Sequence, residues 1–261
     1  MTDKILSTVD QLLALRAAEN NSVPHPSKAP HFVHATLAAL FPQLALKSAT
    51  TRENLLELVT TASSALHELS VPVIPNRSEL GTLQDKFIDE LPKFYSLLKE
   101  DAEALFRGDP AARSVDEVIV SYPGFMAIAV YRLAHWLYKN QIAIVPRMIS
   151  EYAHMLTGVD IHPGATIGRS FVIDHGTGIV IGETTIIHDN VKVYQGVTLG
   201  ALSVDKSMAD IKRHPTIERD CIIYANATIL GGATTIGAGS VIGGNVWLTE
   251  SVPPGSRVYH R

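Results

Sequence analysis

Cysteine is nearly missing from this chain: Cys221 is the only one in 261 residues. No intrachain disulfide framework and no Cys-rich zinc module can therefore be built, and Cys221 is expected to be a small buried side chain. Long apolar runs are missing as well. No stretch reaches the roughly 18 apolar residues of a membrane span, and the opening MTDKILSTVDQLLALRAAE threads charges through its apolar pattern, unlike a signal peptide. The expectation is a cytoplasmic protein with no membrane partner. An excess of one charge is also lacking, since 22 Lys and Arg against 26 Asp and Glu leave a formal net charge of −4. That balance offers no general field for nucleic acid, so a polyanionic ligand must be met by a local site. Apolar residues, at 46%, are plentiful enough for a sizeable core.

Two halves follow different periods. Residues 1 to 158 read as an α-helical domain, with ILSTVDQLLALRAAE, HFVHATLAALFPQLAL and RENLLELVTTASSALHEL repeating apolar residues at three and four. Thr50 and Glu53 are spaced as a capping box for the third segment. VPVIPNRSELG reads as a loop, and TLQDKFIDELPKFYSLLKEDAEALF as a helix that Pro92 ends or kinks. GFMAIAVYRLAHWLYKN and IVPRMISEYAHMLT read as two more helices, the second closed by Gly158.

From residue 159 to 261 the period becomes six. Lead residues fall at Ile161, Ile167, Ile173, Ile179, Thr185, Val191 and Val197, then at Ile217, Ile223, Ile229, Ile236, Ile242 and Leu248, with a one-residue slip assigned to a bulge at Gly231 and Gly232. A period of six suits a coil with three flat sides, each formed by one hexapeptide, whose hydrophobic core exists only when coils stack. Small residues such as Ala165, Cys221 and Ser240 would pack inward near the corners. The fold class expected is α+β, a helical domain followed by a parallel β-helix; the period does not give the hand.

Two features decorate the coil. LGALSVDKSMADIKRHPT separates Val197 from Ile217 and must leave it as a protruding loop, about 200–216, ending in Lys212-Arg213-His214-Pro215. Asp160, His162, Asp174 and His175 cluster in VDIHPGATIG and VIDHGTG. Asp160 and His175 are close to one coil apart, which brings them toward the same corner, and a carboxylate beside an imidazole can orient a general base. Solvated turn residues would give the same spacing.

The run VDIHPGATIGRSFVIDHGTGIVIGET resembles the serine O-acetyltransferase family, whose segment is of the LDHATGIVVGET type. The likeness extends back through GDPAARS and YPGFMAIAVYRLAHWLY and forward through VTLG, RHPTI, ILGG and IGAGSV, roughly residues 105 to 255. It implies a left-handed coil, with L-serine and acetyl-CoA as co-substrates and no metal. It further implies His175 as general base oriented by Asp160, and Asp109, Asp174, Arg213 and His214 around the amino acid. Gly200, Ala225 and Ala238 match positions that contact CoA, and Glu183 matches a family position whose role could equally be that of a solvated corner residue. A homotrimer or dimer of trimers, with sites between neighbouring coils and feedback by cysteine, is implied too.

Several segments depart from the family pattern. TLGA stands for TLGG, the loop is longer, and ATTIGAG lacks a lysine that could face CoA phosphates. VPPGSRVYHR stands without the usual GVPARIVG-type coil and tail, so tail-mediated docking to O-acetylserine sulfhydrylase is not expected. Three alternatives stand beside this reading: another hydroxyl acceptor, a γ-carbonic-anhydrase-like zinc enzyme using some of His154, His162, His175 and His188, and a non-enzymatic scaffold.

Overall fold

A computed structural model describes residues 2–17, 23–47, 51–202 and 211–260. The helices are α1 (Thr2–Arg16), α2 (Lys28–Leu40), α3 (Arg52–Ser70), α4 (Arg77–Gly108), α5 (Val115–Ser121), α6 (Pro123–Lys139) and α7 (Val145–Thr157). Among the described residues no single helix is long and apolar enough to cross a membrane.

Helix starts follow local chemistry. Asn76 caps α4 by accepting from the amides of Ser78 and Glu79, and Ser114 caps α5 by accepting from Glu117. Thr51 caps α3 by accepting from Asn54; Thr50, expected in that role, lies outside the described residues. Two expectations change here. RSELG belongs to α4 rather than to the preceding loop, and of the two alternatives at Pro92, an end or a kink, the end is excluded because α4 runs through it. Helix α5 was not anticipated at all. Gly158 closes α7 with φ 69°, as expected.

The coil begins at once. Its strands are β1 (Asp160–Ile161), β2 (Thr166–Ile167), β3 (Val172–Asp174), β4 (Val180–Ile181), β5 (Ile186–Ile187), β6 (Lys192–Tyr194), β7 (Thr198–Gly200), β8 (Thr216–Ile217), β9 (Ile222–Ile223), β10 (Thr228–Leu230), β11 (Thr235–Ile236), β12 (Val241–Ile242), β13 (Trp247–Leu248) and β14 (Arg257–Val258). They form three parallel sheets, ordered β1-β4-β7-β10-β13, β2-β5-β8-β11 and β3-β6-β9-β12-β14. Through β13 every third strand stacks on the same side, and β14 stacks on β12, which is the expected parallel β-helix.

The inward register differs from the sequence reading in one stretch. Ile161 pairs with Ile181 and Ile181 with Leu199, so the strand positions are Ile181, Ile187, Val193 and Leu199, two residues beyond Ile179, Thr185, Val191 and Val197. The latter four are also buried, at 1% exposure or less, which is why a six-residue frame fits both sets. The shift arises because His175–Gly178 lengthen one corner by two residues. The extra residue near Gly231 likewise lies in a corner, between β10 and β11, where Gly231 takes φ 103°. Ala165, Cys221 and Ser240 are fully buried.

Helix α6 lies against the first coil. Tyr131 donates to the Ala165 carbonyl at 2.6 Å, and its oxygen accepts from the Ile167 amide at 3.1 Å. Arg132, 6% exposed, pairs with the fully buried Asp101 of α4 and donates to the carbonyls of Ile167 and Gly168. Asp101 in turn accepts from the Phe171 amide. Gly124, at the start of α6, approaches β3 so closely that a Cβ would stand 2.4 Å from the Ile173 carbonyl oxygen. One continuous apolar core runs from α2 to the coil interior.

Candidate active site

Each coil turns a corner through a residue with positive φ. At the corner between the β3 and β1 sheets this is Gly196, Asn226 or Asn245, residues that tolerate the left-handed region. Where the first coil passes into the second, Gly178 takes the equivalent place, in register with Gly196, and the lengthened corner before it adds His175, at φ 60°, and Gly176. An imidazole in this strained position, with its side chain 74% exposed, is held out from the coil edge rather than packed into it.

Asp109 follows the last residue of α4. Its carboxylate accepts from the Tyr122 hydroxyl at 2.7 Å and from the Ala111 amide at 2.8 Å, and these two bonds hold it below the usual carboxylate range. The same bond pushes Tyr122 up to about 12. Asp174 ends β3 and lies 3.7 Å from the His175 imidazole and 2.7 Å from Lys192. Asp109, Asp174, His175, Tyr122 and Thr177 line one cleft of about 460 Å³.

A second cluster occupies the next corner, where the protruding loop returns. Arg213 pairs with Glu183 at 2.5 Å, and Glu183 also accepts from Tyr138 and lies 4.0 Å from His162. Burial raises Glu183, but Arg213, His162 and Tyr138 hold it below its ordinary value. His214 is 8% exposed. Its Nδ1 accepts from the Thr184 amide at 3.1 Å and lies 2.9 Å from the Thr184 hydroxyl, which leaves the proton on Nε2. Burial, reinforced by Arg213, pushes the imidazole down to about 4. His214 is therefore a neutral N–H donor at neutral pH. Gly182 makes room for it, since a Cβ there would stand 2.0 Å from the ring.

The expected site residues thus fall on separate edges of the prism. Asp109, Asp174, His175 and, two coils on, Ala225 share one edge; Glu183, Gly200, Arg213 and His214 share the next. Ala238 lies on the third, in a cleft with His188, Glu218 and Arg219. Asp160 and His175 do lie on adjacent coils, tied by the Asp160 amide to the Ile179 carbonyl. Within one chain, however, the Asp160 carboxylate gathers with Glu151 and His154 instead, and the carboxylate within 4 Å of His175 is Asp174. Sequence reasoning missed Tyr122 in the cleft, Lys192 against Asp174 and Thr184 under His214. Residues 203–210 of the protruding loop lie outside the described residues.

A triangular parallel coil with hexapeptide sides, one loop returning on Arg-His and an imidazole on an adjacent edge, defines a hexapeptide-repeat transferase. Comparisons narrow the class. No protein-family model matches the chain. It is 54% identical over 181 residues to a plasmid-borne serine acetyltransferase of Synechococcus elongatus, covering 67% of this chain and 56% of that protein. To the serine acetyltransferase of Bacillus subtilis it is 50% identical over 165 residues, covering 63% of this chain and 74% of that one. Among solved structures, serine acetyltransferase isoform 3 of Entamoeba histolytica in complex with cysteine superposes with a TM-score of 0.80 at 32% identity, covering 100% of this chain and 93% of that one. Similar structures include the Neisseria gonorrhoeae enzyme in complex with serine (TM-score 0.61, 26% identity, 88% and 93% covered). Another is a serine acetyltransferase complexed with CoA (0.61, 25%, 90% and 96%). The chain belongs to the serine acetyltransferase family.

Proposed function

We propose that this protein carries out its family's reaction, acetyl transfer from acetyl-CoA to the hydroxyl of L-serine, in a site completed between two copies of the chain. The observation that carries this is the split just described. The carboxylates suited to an ammonium group and the imidazole stand on one edge, the guanidinium suited to a carboxylate stands on the next, and a flat side of the coil separates them. A threefold assembly that sets one copy's second edge against its neighbour's first edge unites them, with residues 1–158 as the oligomerising part and 159–261 as the catalytic part.

In that site Asp109 and Asp174 receive the serine ammonium group, and Arg213 pairs with its carboxylate. His175 takes the hydroxyl proton as the oxygen attacks the thioester carbonyl. Neutral His214 donates Nε2–H to the oxyanion that develops or to the bound serine. When the tetrahedral intermediate collapses, the C–S bond breaks and the imidazolium returns the proton to the CoA thiolate. Gly200, Ala225 and Ala238 would face CoA only across the assembly, because one chain spreads them over three edges. The serine and CoA complexes of similar proteins support this choice of substrates, and the use of acetyl-CoA suits a cytoplasmic location. The cysteine complex of the Entamoeba relative supports feedback in the same pocket. Docking to the sulfhydrylase through a C-terminal tail is not part of the proposal.

The test is thiol release from acetyl-CoA across a panel of hydroxyl acceptors, using protein shown to be folded and oligomeric. Serine-dependent release is expected, and His175→Ala should abolish most of it while assembly persists. No serine-dependent release from wild type, or near-normal rates from the variant, would overturn this reading.

A further inference from the structure

One charged side chain behind the acceptor cleft, against its Asp174, has no role in the chemistry above. Lys192, on β6, is only 16% exposed. Its ammonium lies 2.7 Å from Asp174 and donates at 2.7 Å to the carbonyl of Gly108, the last residue of α4. It also sits 4.5 Å from the centre of the Tyr194 ring, which stacks on Tyr224 at 5.0 Å and 13°. Burial lowers the affinity of this amine for its proton, but Asp174 and Tyr194 outweigh that, so it stays charged.

The position of these bonds gives them a function. Gly108 immediately precedes Asp109, so the bond to its carbonyl fixes the point where α4 hands over to the Asp109 carboxylate. Asp174 is the other carboxylate of the cleft. Lys192 therefore spans the two elements that carry them, at the C-terminal end of a helix where a cation is favoured. It also sets the charge. Two carboxylates and one ammonium leave a single negative charge to meet the single ammonium of an amino acid.

We propose that Lys192 is the positioning residue of the acceptor pocket, bridging Asp174 to the end of α4 so that the Asp109 and Asp174 carboxylates are spaced for one amino-acid ammonium group. This rests on the acceptor reading of those two carboxylates. The ionisable groups lining the cleft are Asp109, Asp174, His175 and Tyr122, and Tyr194 lies beside Lys192.

The test uses the full chain and compares Lys192→Met, which keeps the packed stem, with Lys192→Arg, which keeps the donors, alongside Asp109→Asn and Asp174→Asn. For Lys192→Met the KM for serine should rise about tenfold or more, the factor that losing a hydrogen bond to a charged group carries. The KM for acetyl-CoA should not move and kcat should change little, because only acceptor placement is disturbed. Lys192→Arg should recover most of the serine KM. The acid limb of kcat/KM for serine should shift to higher pH in Lys192→Met, since Asp109 loses a nearby cation that helps hold its carboxylate ionised. If Lys192→Met fails to fold, Lys192→Gln takes its place with the same expectations. An unchanged serine KM, or equal losses in both KM values and kcat with no rescue by arginine, would overturn the proposal. If the two aspartate variants raise the serine KM and the lysine variant does not, only the role of Lys192 falls. If neither aspartate variant affects serine, the acceptor reading itself falls and takes this one with it.

Discussion

Adding one methyl group at Gly182 should disable the second half of the site without removing a polar atom. A Cβ at this position would stand 2.0 Å from His214 Cδ2 and 2.1 Å from Nε2. Carbon atoms rest at about 3.5 Å or more, so in Gly182→Ala the imidazole must retreat by roughly 1.5 Å. It cannot do so and keep its bonds, because Nδ1 is held by the Thr184 amide and hydroxyl at 3.1 and 2.9 Å. A displacement of this size in a group that positions or stabilises the reacting atoms costs about 100-fold in kcat/KM. Steady-state kinetics with serine and acetyl-CoA would measure it, and circular dichroism would establish that the coil persists. The decisive arm is a double-mutant cycle. In a His214→Ala background the methyl group enters vacated space, so Gly182→Ala should there cost almost nothing, a coupling far from additive. Wild-type kinetics for Gly182→Ala, or a full additional loss in the His214→Ala background, would refute the reasoning.

Other expectations rest on separate contacts. Arg132→Met leaves Asp101 fully buried and without its cation, and strips the donors from the Ile167 and Gly168 carbonyls. Urea unfolding should show a loss of about 3–5 kcal/mol, whereas a loss below 1 kcal/mol, on the scale of an exposed pair, would mean that the contact between α6 and the first coil is not carried by this pair. His214 has its pKa pushed down to about 4 in the folded chain, against about 6.5 in the unfolded one. The unfolded chain therefore binds the extra proton between these values, so the stability His214 contributes is complete above pH 6.5 and is lost as pH falls toward 4. His214→Asn should flatten that part of the stability profile; an unchanged slope would show that the imidazole is not held neutral.

The coil was legible because its physics is local. Each side needs one inward aliphatic residue and each corner a small or left-handed one, so Ile161, Ile167, Ile173, Ala165, Cys221 and Ser240 announce themselves at a spacing of six. Helices α4, α6 and α7 were legible for a similar reason, their apolar residues recurring within one turn. His175, Asp174, Arg213 and His214 stood out because charged and imidazole groups interrupt that pattern, and resemblance supplied their expected roles.

Tertiary structure decided what period and motif could not. A corner lengthened at His175–Gly178 moves the inward register by two residues, yet both sets of aliphatic positions are buried, so hydrophobicity alone could not tell them apart; only pairing across coils does. Thr51 caps α3 because its extended backbone presents the side-chain oxygen to the Asn54 amide. Lys192 reaches Gly108 across 84 residues, and Glu183 meets Arg213 across 30, contacts that exist only once the coils stack on one another and on α4. The same stacking sends Asp109, Asp174 and His175 to one edge and Arg213 and His214 to the next. Sequence thus determined that a three-sided coil would form and which of its residues could do chemistry. Which of them face one another was left to the closure of that coil, because contacts across a stacked solid depend on register and not on spacing along the chain.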